Sequence, residues 1–186
     1  MALKVKSRLL IGPLLVFGLA SSCSTQGTTE TDNSEAIVAA ESTLEEALCD
    51  PAAGRLQCNS ADLSRQLLDG LILAGGSFRG ADFSYASLRG TNFDGADLRS
   101  TKFNNADLTG ANLSRTNILG SSFEYANLIG AKIQDVCLEQ VNFDYSDLTL
   151  VDFARSKGAI YMRAKDSNLT LSVNLDTIIL GSESCK

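Results

Sequence analysis

The sequence predicts a solenoid, in which the chain winds into stacked coils, between residues 61 and 155. The first observation is a strict period of five, since every fifth residue from Leu63 to Phe153 is Leu, Phe or Ile. The second is a period of twenty, at which identical residues recur. Fixed periods of this kind are the signature of stacked structural repeats.

A five-residue period fits neither common element of secondary structure. On an α-helix, five steps of about 100° rotate successive apolar side chains away from one another. In a strand, an odd spacing places them on alternate faces. The chain must therefore turn once in each pentapeptide, and stacked coils then bury the returning side chains in one interior.

The twenty-residue period indicates four pentapeptides in each coil. One column is all Leu, another is Phe after its first member Leu63, and a glycine column lies two residues after the Leu column, where a turn with positive φ is expected. The members are Leu68, Leu88, Leu108, Leu128 and Leu148; Phe83, Phe103, Phe123 and Phe143; and Gly70, Gly90, Gly110 and Gly130.

Two further positions of each pentapeptide follow a pattern. A small residue, usually Ala, lies two before the central one, as expected for a second inward side chain at a tight corner. The residue between them is mostly Asp or Asn, which at turns hydrogen-bond to nearby backbone.

Units such as 81–85, 96–100 and 106–110, with Ala then Asp then Phe or Leu, resemble the pentapeptide-repeat family. The resemblance covers residues 61–155 and implies an all-β solenoid, a right-handed quadrilateral β-helix of about five coils and about 23 Å in height. Gln66, Leu71 and Gly76 stand where the family usually has Ala, so the early coils are expected to be less regular.

Residues 1–22 have the pattern of a secretory signal of the lipoprotein type. Lys4, Lys6 and Arg8 precede a short apolar run that ends before Cys23. The residues before Cys23 resemble a bacterial lipobox, which implies lipidation of Cys23, although the favoured Leu lies one position too early. Ordinary signal cleavage is the alternative, and absence of export is a third possibility.

The segments that flank the repeats are assigned from composition and pattern. Residues 23–33 lack large apolar side chains and are predicted to be a flexible tether. Residues 34–60 are predicted to form a capping helix and loop, with an amphipathic helix over 34–48 covering the N-terminal end of the solenoid. Residues 156–186 are predicted to form one degenerate coil and a C-terminal cap, in which Leu169–Leu175 alternate as a strand.

Once Cys23 carries a lipid, four cysteines remain, and an even number in an exported chain favours disulfides. Cys49–Cys58 is the favoured pair, which would tie the capping helix to the first coil. Cys137 stands at the Asp/Asn position and so faces outward, and it is a candidate partner for Cys185 of the C-terminal segment; whether these two pair is left open.

The residue types argue against an enzyme. The chain has no histidine, so it lacks the usual base near neutral pH and has no histidine to complete a zinc site. Carboxylate pairs such as Asp94 with Asp97 and Asp144 with Asp147 fall on neighbouring turns of a regular surface. We therefore expect no catalytic residues, no cofactor and no metal.

The net charge of the chain and the pattern of its surface residues indicate what kind of partner the protein binds. The chain has a net charge of −6, which becomes −9 without Lys4, Lys6 and Arg8, so nucleic acid is not expected as a ligand. Tyr85, Tyr125 and Tyr145 share one column at the twenty-residue spacing and form a possible interaction stripe. Alternatively, they only stack on each other and rigidify that edge.

These features together predict a non-catalytic exported scaffold or protein-interaction module. It would be tethered by an N-terminal lipid at a membrane of a bacterial envelope, facing the periplasm, or the thylakoid lumen in a cyanobacterium. Its protein partner is unspecified, and a homodimer is possible. The alternative, taken from other members of the family, is a DNA-mimicking inhibitor of a type II topoisomerase.

Overall fold

The computed structural model describes residues 56–158 and 162–172. Over these ranges the chain forms a β-helix held by isolated parallel β-bridges between residues twenty positions apart, from Gln57–Ser77 to Cys137–Lys157. Each coil places such bridges on four faces. The described residues form no α-helix and no strand longer than a single bridge. The solenoid predicted from the five- and twenty-residue periods is confirmed for this part of the chain.

Each repeat has five positions with fixed roles, which residues 81–85 illustrate. The first and third residues, Ala81 and Phe83, point inward and are fully buried. The second, Asp82, carries the β-bridges to the coils below and above. The fourth and fifth, Ser84 and Tyr85, form the turn to the next face. The backbone N–H groups of Phe83 and Tyr85 donate to carbonyls of the next coil at 2.7 and 2.9 Å, so the coils are joined at the turns as well.

The third positions build the core. From Leu63 to Phe153 none of these side chains is more than 4 % exposed. Phe103 stacks between Phe83 and Phe123 with centroid distances of 5.1 and 4.8 Å, and Phe143 continues the stack at 5.0 Å. The columns of identical residues predicted from the twenty-residue period therefore exist as contacts in the interior.

Short polar side chains satisfy the backbone at two positions. Where Thr or Ser replaces Ala at a buried first position, its hydroxyl donates to a carbonyl, as Thr91 does to Leu68 at 2.8 Å. At the second position, Asp or Asn accepts a hydrogen bond from the N–H two residues later, as Asp82 does from Ser84 at 2.9 Å. The same bond is made by Asp62, Asn92, Asp97, Asp107, Asn112, Asn117, Asn127, Asn142, Asp147, Asp152 and Asn168. The predicted turn role of these residues is confirmed.

Positive φ is a property of the fifth position and not of glycine alone. The predicted glycine column has it, with φ between 64° and 69°. Large residues adopt the same conformation, among them Arg65, Tyr125 and Leu150 at about 60°. Positive φ at these residues was not predictable from their residue types, because side chains with a Cβ ordinarily avoid the left-handed region.

The regular coils begin one repeat earlier than residue 61. Residues 56–60 already follow the pattern, with Gln57 bridged to Ser77. Cys58 occupies the third position and is 1 % exposed, instead of lying in the loop expected before the solenoid. The period of Leu, Phe and Ile missed this repeat because a cysteine stands at its centre.

The coils also continue beyond residue 155, with one residue inserted. The bridges Asn142–Arg163 and Asp147–Asn168 span twenty-one positions instead of twenty. Leu169 then occupies a third position, while Leu171 lies at an exposed fifth position with φ of 57°. The strand predicted from the alternation of Leu169 and Leu171 is therefore wrong at these residues, since a turn separates them.

Several predicted segments fall outside the described residues. These are the signal over 1–22, the tether over 23–33, the helix over 34–48 and the last part of the chain, 173–186.

Candidate interaction surface

The predicted tyrosines lie on one edge of the β-helix. They occupy fifth positions of the face whose core is the Phe stack, and we call this edge the tyrosine column: Arg65, Tyr85, Asn105, Tyr125 and Tyr145. Tyr85 and Tyr125 are each 55 % exposed, and Tyr145 is 37 % exposed. Their φ values of 58° to 63° lie in the left-handed region, which costs a residue with a Cβ about 1 kcal/mol.

The column is a stack of aromatic rings and cations with one interruption. The rings of Tyr125 and Tyr145 are stacked, with centroids 4.9 Å apart and planes within 8°. Arg65 lies over the Tyr85 ring at 4.9 Å, and Lys165 over the Tyr145 ring at 5.6 Å. At Asn105 no ring is present, so Tyr85 is separated from Tyr125 by two coils. The proposed stacking role thus holds for Tyr125 and Tyr145, whereas Tyr85 has only Arg65 as its ring partner among the described residues.

Asp144 anchors the upper end of the column. Its side chain is 2 % exposed, accepts a hydrogen bond from the backbone N–H of Lys165 at 2.8 Å, and pairs with the guanidinium of Arg163. These contacts cross the coil boundary just after the inserted residue. They hold Lys165 where its ammonium group covers Tyr145.

The four carboxylates considered as pairs each have partners within the described β-helix. Asp94 pairs with Arg115, and Asp144 with Arg163. The hydrogen bond from the Arg99 side chain lowers the pKa of Asp97, and that from the Thr149 hydroxyl lowers the pKa of Asp147, in both cases against a smaller opposing effect of burial. Among the described residues no group of three or more Asp, Glu or Cys side chains is arranged to hold a metal ion.

Ion pairs continue along the neighbouring faces. Arg155 binds Asp135, and this hydrogen bond lowers the pKa of the Asp135 carboxyl, with Arg115 contributing from the coil below. Lys102 pairs with Asp82 at 3.6 Å and Arg89 with Asp107 at 3.9 Å. Each of these pairs joins residues of two adjacent coils, so the opposite charges lie close together on these faces.

Cys58 and Cys137 are each disulfide-bonded. They cannot be bonded to each other, because Cys137 lies four coils above Cys58, about 19 Å away at the spacing of stacked strands, whereas the Cα atoms of a disulfide lie within about 7 Å. The assignments Cys49–Cys58 and Cys137–Cys185 remain predictions, as does lipidation of Cys23.

The first coil carries an apolar patch that the sequence analysis did not identify. Leu67 and Ile72 occupy second positions and are 76 % and 65 % exposed, where later coils have Ser87, Asn92 or Asp107. This patch was predictable from the sequence, since Leu67 and Ile72 stand at second positions, which in later coils mostly hold polar residues. Within the described residues, no helix is long and apolar enough to cross a bilayer.

Comparison with known proteins gives one family match. The model of the family described as pentapeptide repeats matches eight copies, at residues 57–95, 77–115, 106–144 and 121–157. The match covers more than half of the chain and begins at Gln57, within the first described repeat, residues 56–60. A search of curated proteins found no match.

Similar solved structures include a pentapeptide repeat protein from the thylakoid lumen of Arabidopsis thaliana, 28 % identical with a TM-score of 0.33. That alignment covers 59 % of this chain and 66 % of the plant protein, just under two thirds of its length. Rfr23 from the cyanobacterium Cyanothece 51142 is 20 % identical over 62 % of this chain and 85 % of that one, with a TM-score of 0.35. QnrB1, a plasmid-mediated fluoroquinolone resistance protein, is 17 % identical over 65 % and 61 %, with a TM-score of 0.34.

Proposed function

Because the chain belongs to the pentapeptide-repeat family, we propose that it is a non-catalytic scaffold that binds a protein partner through the tyrosine column. The observation that carries this proposal is the exposure of three aligned tyrosines in an unfavourable backbone conformation. Gly and Ser also occupy fifth positions of the β-helix, so the fold itself does not require an exposed aromatic ring there. Exposed Tyr clusters are typical of protein interfaces, where the ring contributes contact area at low entropic cost.

We further propose that the domain is exported and held at a membrane surface by a lipid on Cys23. The signal pattern of residues 1–22 supports export, and the disulfides at Cys58 and Cys137 support an oxidising compartment such as a bacterial periplasm or a thylakoid lumen. Pairing of Cys49 with Cys58 and of Cys137 with Cys185 would fasten both ends of the β-helix. The polar segment 23–33 would leave the domain free to reach its partner.

The charge distribution does not favour the alternative of a DNA mimic. Such a protein needs a continuous acidic stripe in place of the phosphates. Here Asp82, Asp94, Asp97, Asp107, Asp135 and Asp144 all pair with Lys or Arg of the same β-helix. Their charge is therefore largely cancelled within the molecule, and the tyrosine column remains the better candidate.

The experiment is capture of envelope proteins on the immobilised full-length protein, with each retained protein identified by mass spectrometry. A variant with Tyr85, Tyr125 and Tyr145 all changed to Ser should lose one specific protein and keep its far-UV circular dichroism spectrum. Leu150→Ser is the matched control, because Leu150 is a fifth-position residue on the adjacent face with φ of 60° and 51 % exposure. Equal retention by the triple variant would contradict the proposal.

The intact mass of the protein from its native host tests the anchor. A chain that begins at Cys23 and carries the mass of two or three acyl groups is expected. A full-length, unmodified mass with five free thiols would contradict both export and lipidation.

A further inference from the structure

We propose that the gap in the tyrosine column at Asn105 is a slot for one arginine side chain of a protein partner. This inference rests on the proposed function and specifies the chemistry that the column recognises.

The slot has the width of one missing member of the stack. Successive rings on this edge are 4.9 Å apart, as Tyr125 and Tyr145 show. Tyr85 and Tyr125 are two coils apart, so their ring centres are separated by about 10 Å at the spacing of stacked strands. A planar group midway between them would lie about 5 Å from each ring, the spacing that the column itself uses.

Asn105 forms the floor of the slot without filling it. Asn105 is exposed, and its amide reaches a shorter distance from the backbone than a tyrosine ring, so the exposed rings of Tyr85 and Tyr125 extend beyond it. The Asn105 side chain makes no hydrogen bond with any described residue. Its carbonyl oxygen is therefore able to accept one from a guest.

Cationic side chains already cover two ring faces of the tyrosine column. The guanidinium of Arg65 covers the Tyr85 face that points away from the slot, and the ammonium of Lys165 covers the outer face of Tyr145. The face of Tyr85 towards Asn105 and the face of Tyr125 towards Asn105 have no such partner in the described β-helix. A cation between them would benefit from two cation–π contacts at once.

The charges around the slot favour a cation. The backbone N–H of Asn105 donates to the carbonyl oxygen of Glu124 at 2.9 Å, which places Glu124 beside the floor of the slot. The Glu124 carboxylate has no ion pair with the described residues. The charged residues of this face from Tyr85 to Tyr125 are Asp82, Lys102 and Glu124. Lys102 pairs with Asp82 at 3.6 Å, so the Glu124 carboxylate is the charge that remains to attract a cation.

Arginine fits these features better than lysine or an aromatic residue. A guanidinium is planar and stacks on a ring with each face, and its edge donates to the Glu124 carboxylate and the Asn105 carbonyl. A lysine ammonium is a strongly hydrated point charge that does not stack. An aromatic ring would stack but would leave the Glu124 carboxylate and the Asn105 amide unused.

The test is a titration of the full-length protein, with its tyrosine rings isotopically labelled, monitored by nuclear magnetic resonance. The probes are three blocked tripeptides, Gly-Arg-Gly, Gly-Lys-Gly and Gly-Phe-Gly. We expect saturable shifts of the Tyr85 and Tyr125 ring resonances with the arginine probe and at least about fivefold weaker binding of the other two. Glu124→Gln should weaken binding of the arginine probe about two- to fivefold, the usual range for a partly exposed ion pair.

Asn105→Tyr completes the column and should abolish binding of the arginine probe. Its matched control is Ser100→Tyr, a fifth-position residue of the same coil on another edge, with φ of 56° against 59° for Asn105, which should bind as the wild type does. If Asn105→Tyr fails to fold, Glu124→Gln and the position of the shifts decide the matter alone.

Equal binding by a folded Asn105→Tyr variant, tighter binding of the phenylalanine probe, or shifts confined to Tyr145 would overturn the proposal. The two proposals fail separately. Retention of the envelope protein by Asn105→Tyr would refute the slot and leave the interaction function intact. Binding of the arginine probe without any retained protein would support the slot and refute the function.

Discussion

Replacing Phe103 by Leu removes a ring that makes three aromatic contacts in the core. Phe103 is fully buried, stacks on Phe83 at 5.1 Å and Phe123 at 4.8 Å, and meets Phe93 edge-on at 5.9 Å. Each aromatic pair contributes about 0.5–1.5 kcal/mol beyond the area it buries. The loss of these three pairs should therefore lower the free energy of unfolding by about 1.5–4.5 kcal/mol in addition to the cost of the smaller side chain.

Phe153→Leu provides the matched control. Phe153 is equally buried at a third position, but it makes no ring contact with the described residues, so its replacement costs only burial and packing, about 1–1.5 kcal/mol. Urea unfolding followed by circular dichroism measures both variants, with equal m-values as the check that the transitions are comparable. If Phe103→Leu costs no more than Phe153→Leu, the ring stack does not contribute to stability and the reasoning is wrong.

Three further predictions concern the turns and the ends of the β-helix. Although Ala is usual at first positions, Gly76→Ala should lower the free energy of unfolding by about 1–3 kcal/mol, because the new Cβ would lie 2.6 Å from the ring of Phe78. This loss of stability should be smaller in a Phe78→Leu background. An equal loss there would refute the proposed clash. The hydrogen bond from Thr149 holds the pKa of Asp147 below its ordinary value of 3.8. The stabilisation by the ionised Asp147 carboxylate is therefore complete above that pH and is lost as the pH falls through the lower pKa of the folded state. Asp147→Asn, which reproduces Asn127 and Asn168 in the same column, should therefore flatten the fall in melting temperature below about pH 4, and an unchanged profile would contradict the assignment. Reduction of the disulfides at Cys58 and Cys137 should lower the free energy of unfolding by about 2–4 kcal/mol for each bridge, measured by urea unfolding with and without reductant; an unchanged midpoint would show that neither bridge constrains the unfolded chain.

The interior of the β-helix was predictable because one physical requirement acts on each inward position. A third-position side chain must fill the core and a first-position one must fit a tight corner, so the choice narrows to Leu, Phe or Ile and to small residues. The Asp and Asn of the second position were predictable for a similar reason, since they hydrogen-bond to the N–H two residues later, as Asp82 and Asn92 do.

The remaining features depend on contacts that the period does not encode. Cys58 fills a third position, but the five-residue period was recognised from Leu, Phe and Ile, so a cysteine at that position was not counted as part of it. One residue is inserted before Arg163, so the five-residue period of the sequence is interrupted there. The β-helix nevertheless continues, because Arg163 forms a β-bridge with Asn142. The gap at Asn105 was visible in the sequence, but its meaning depends on the 4.9 Å spacing of the neighbouring rings and on the position of Glu124.

The regularity of this fold limits where recognition can reside. In residues 81–85 the first and third side chains are committed to the core and the second to its own turn, and the same holds for most repeats. In such repeats the fourth and fifth positions are free to vary, and the fifth imposes a backbone conformation that favours Gly. A large side chain there must therefore offset about 1 kcal/mol by contacts of its own. Tyr125 and Tyr145 have such contacts in each other, and Tyr85 in Arg65, but the ring faces of Tyr85 and Tyr125 towards Asn105 have no aromatic or cationic partner in the described β-helix. That missing contact is the strongest reason to look for a partner at this edge.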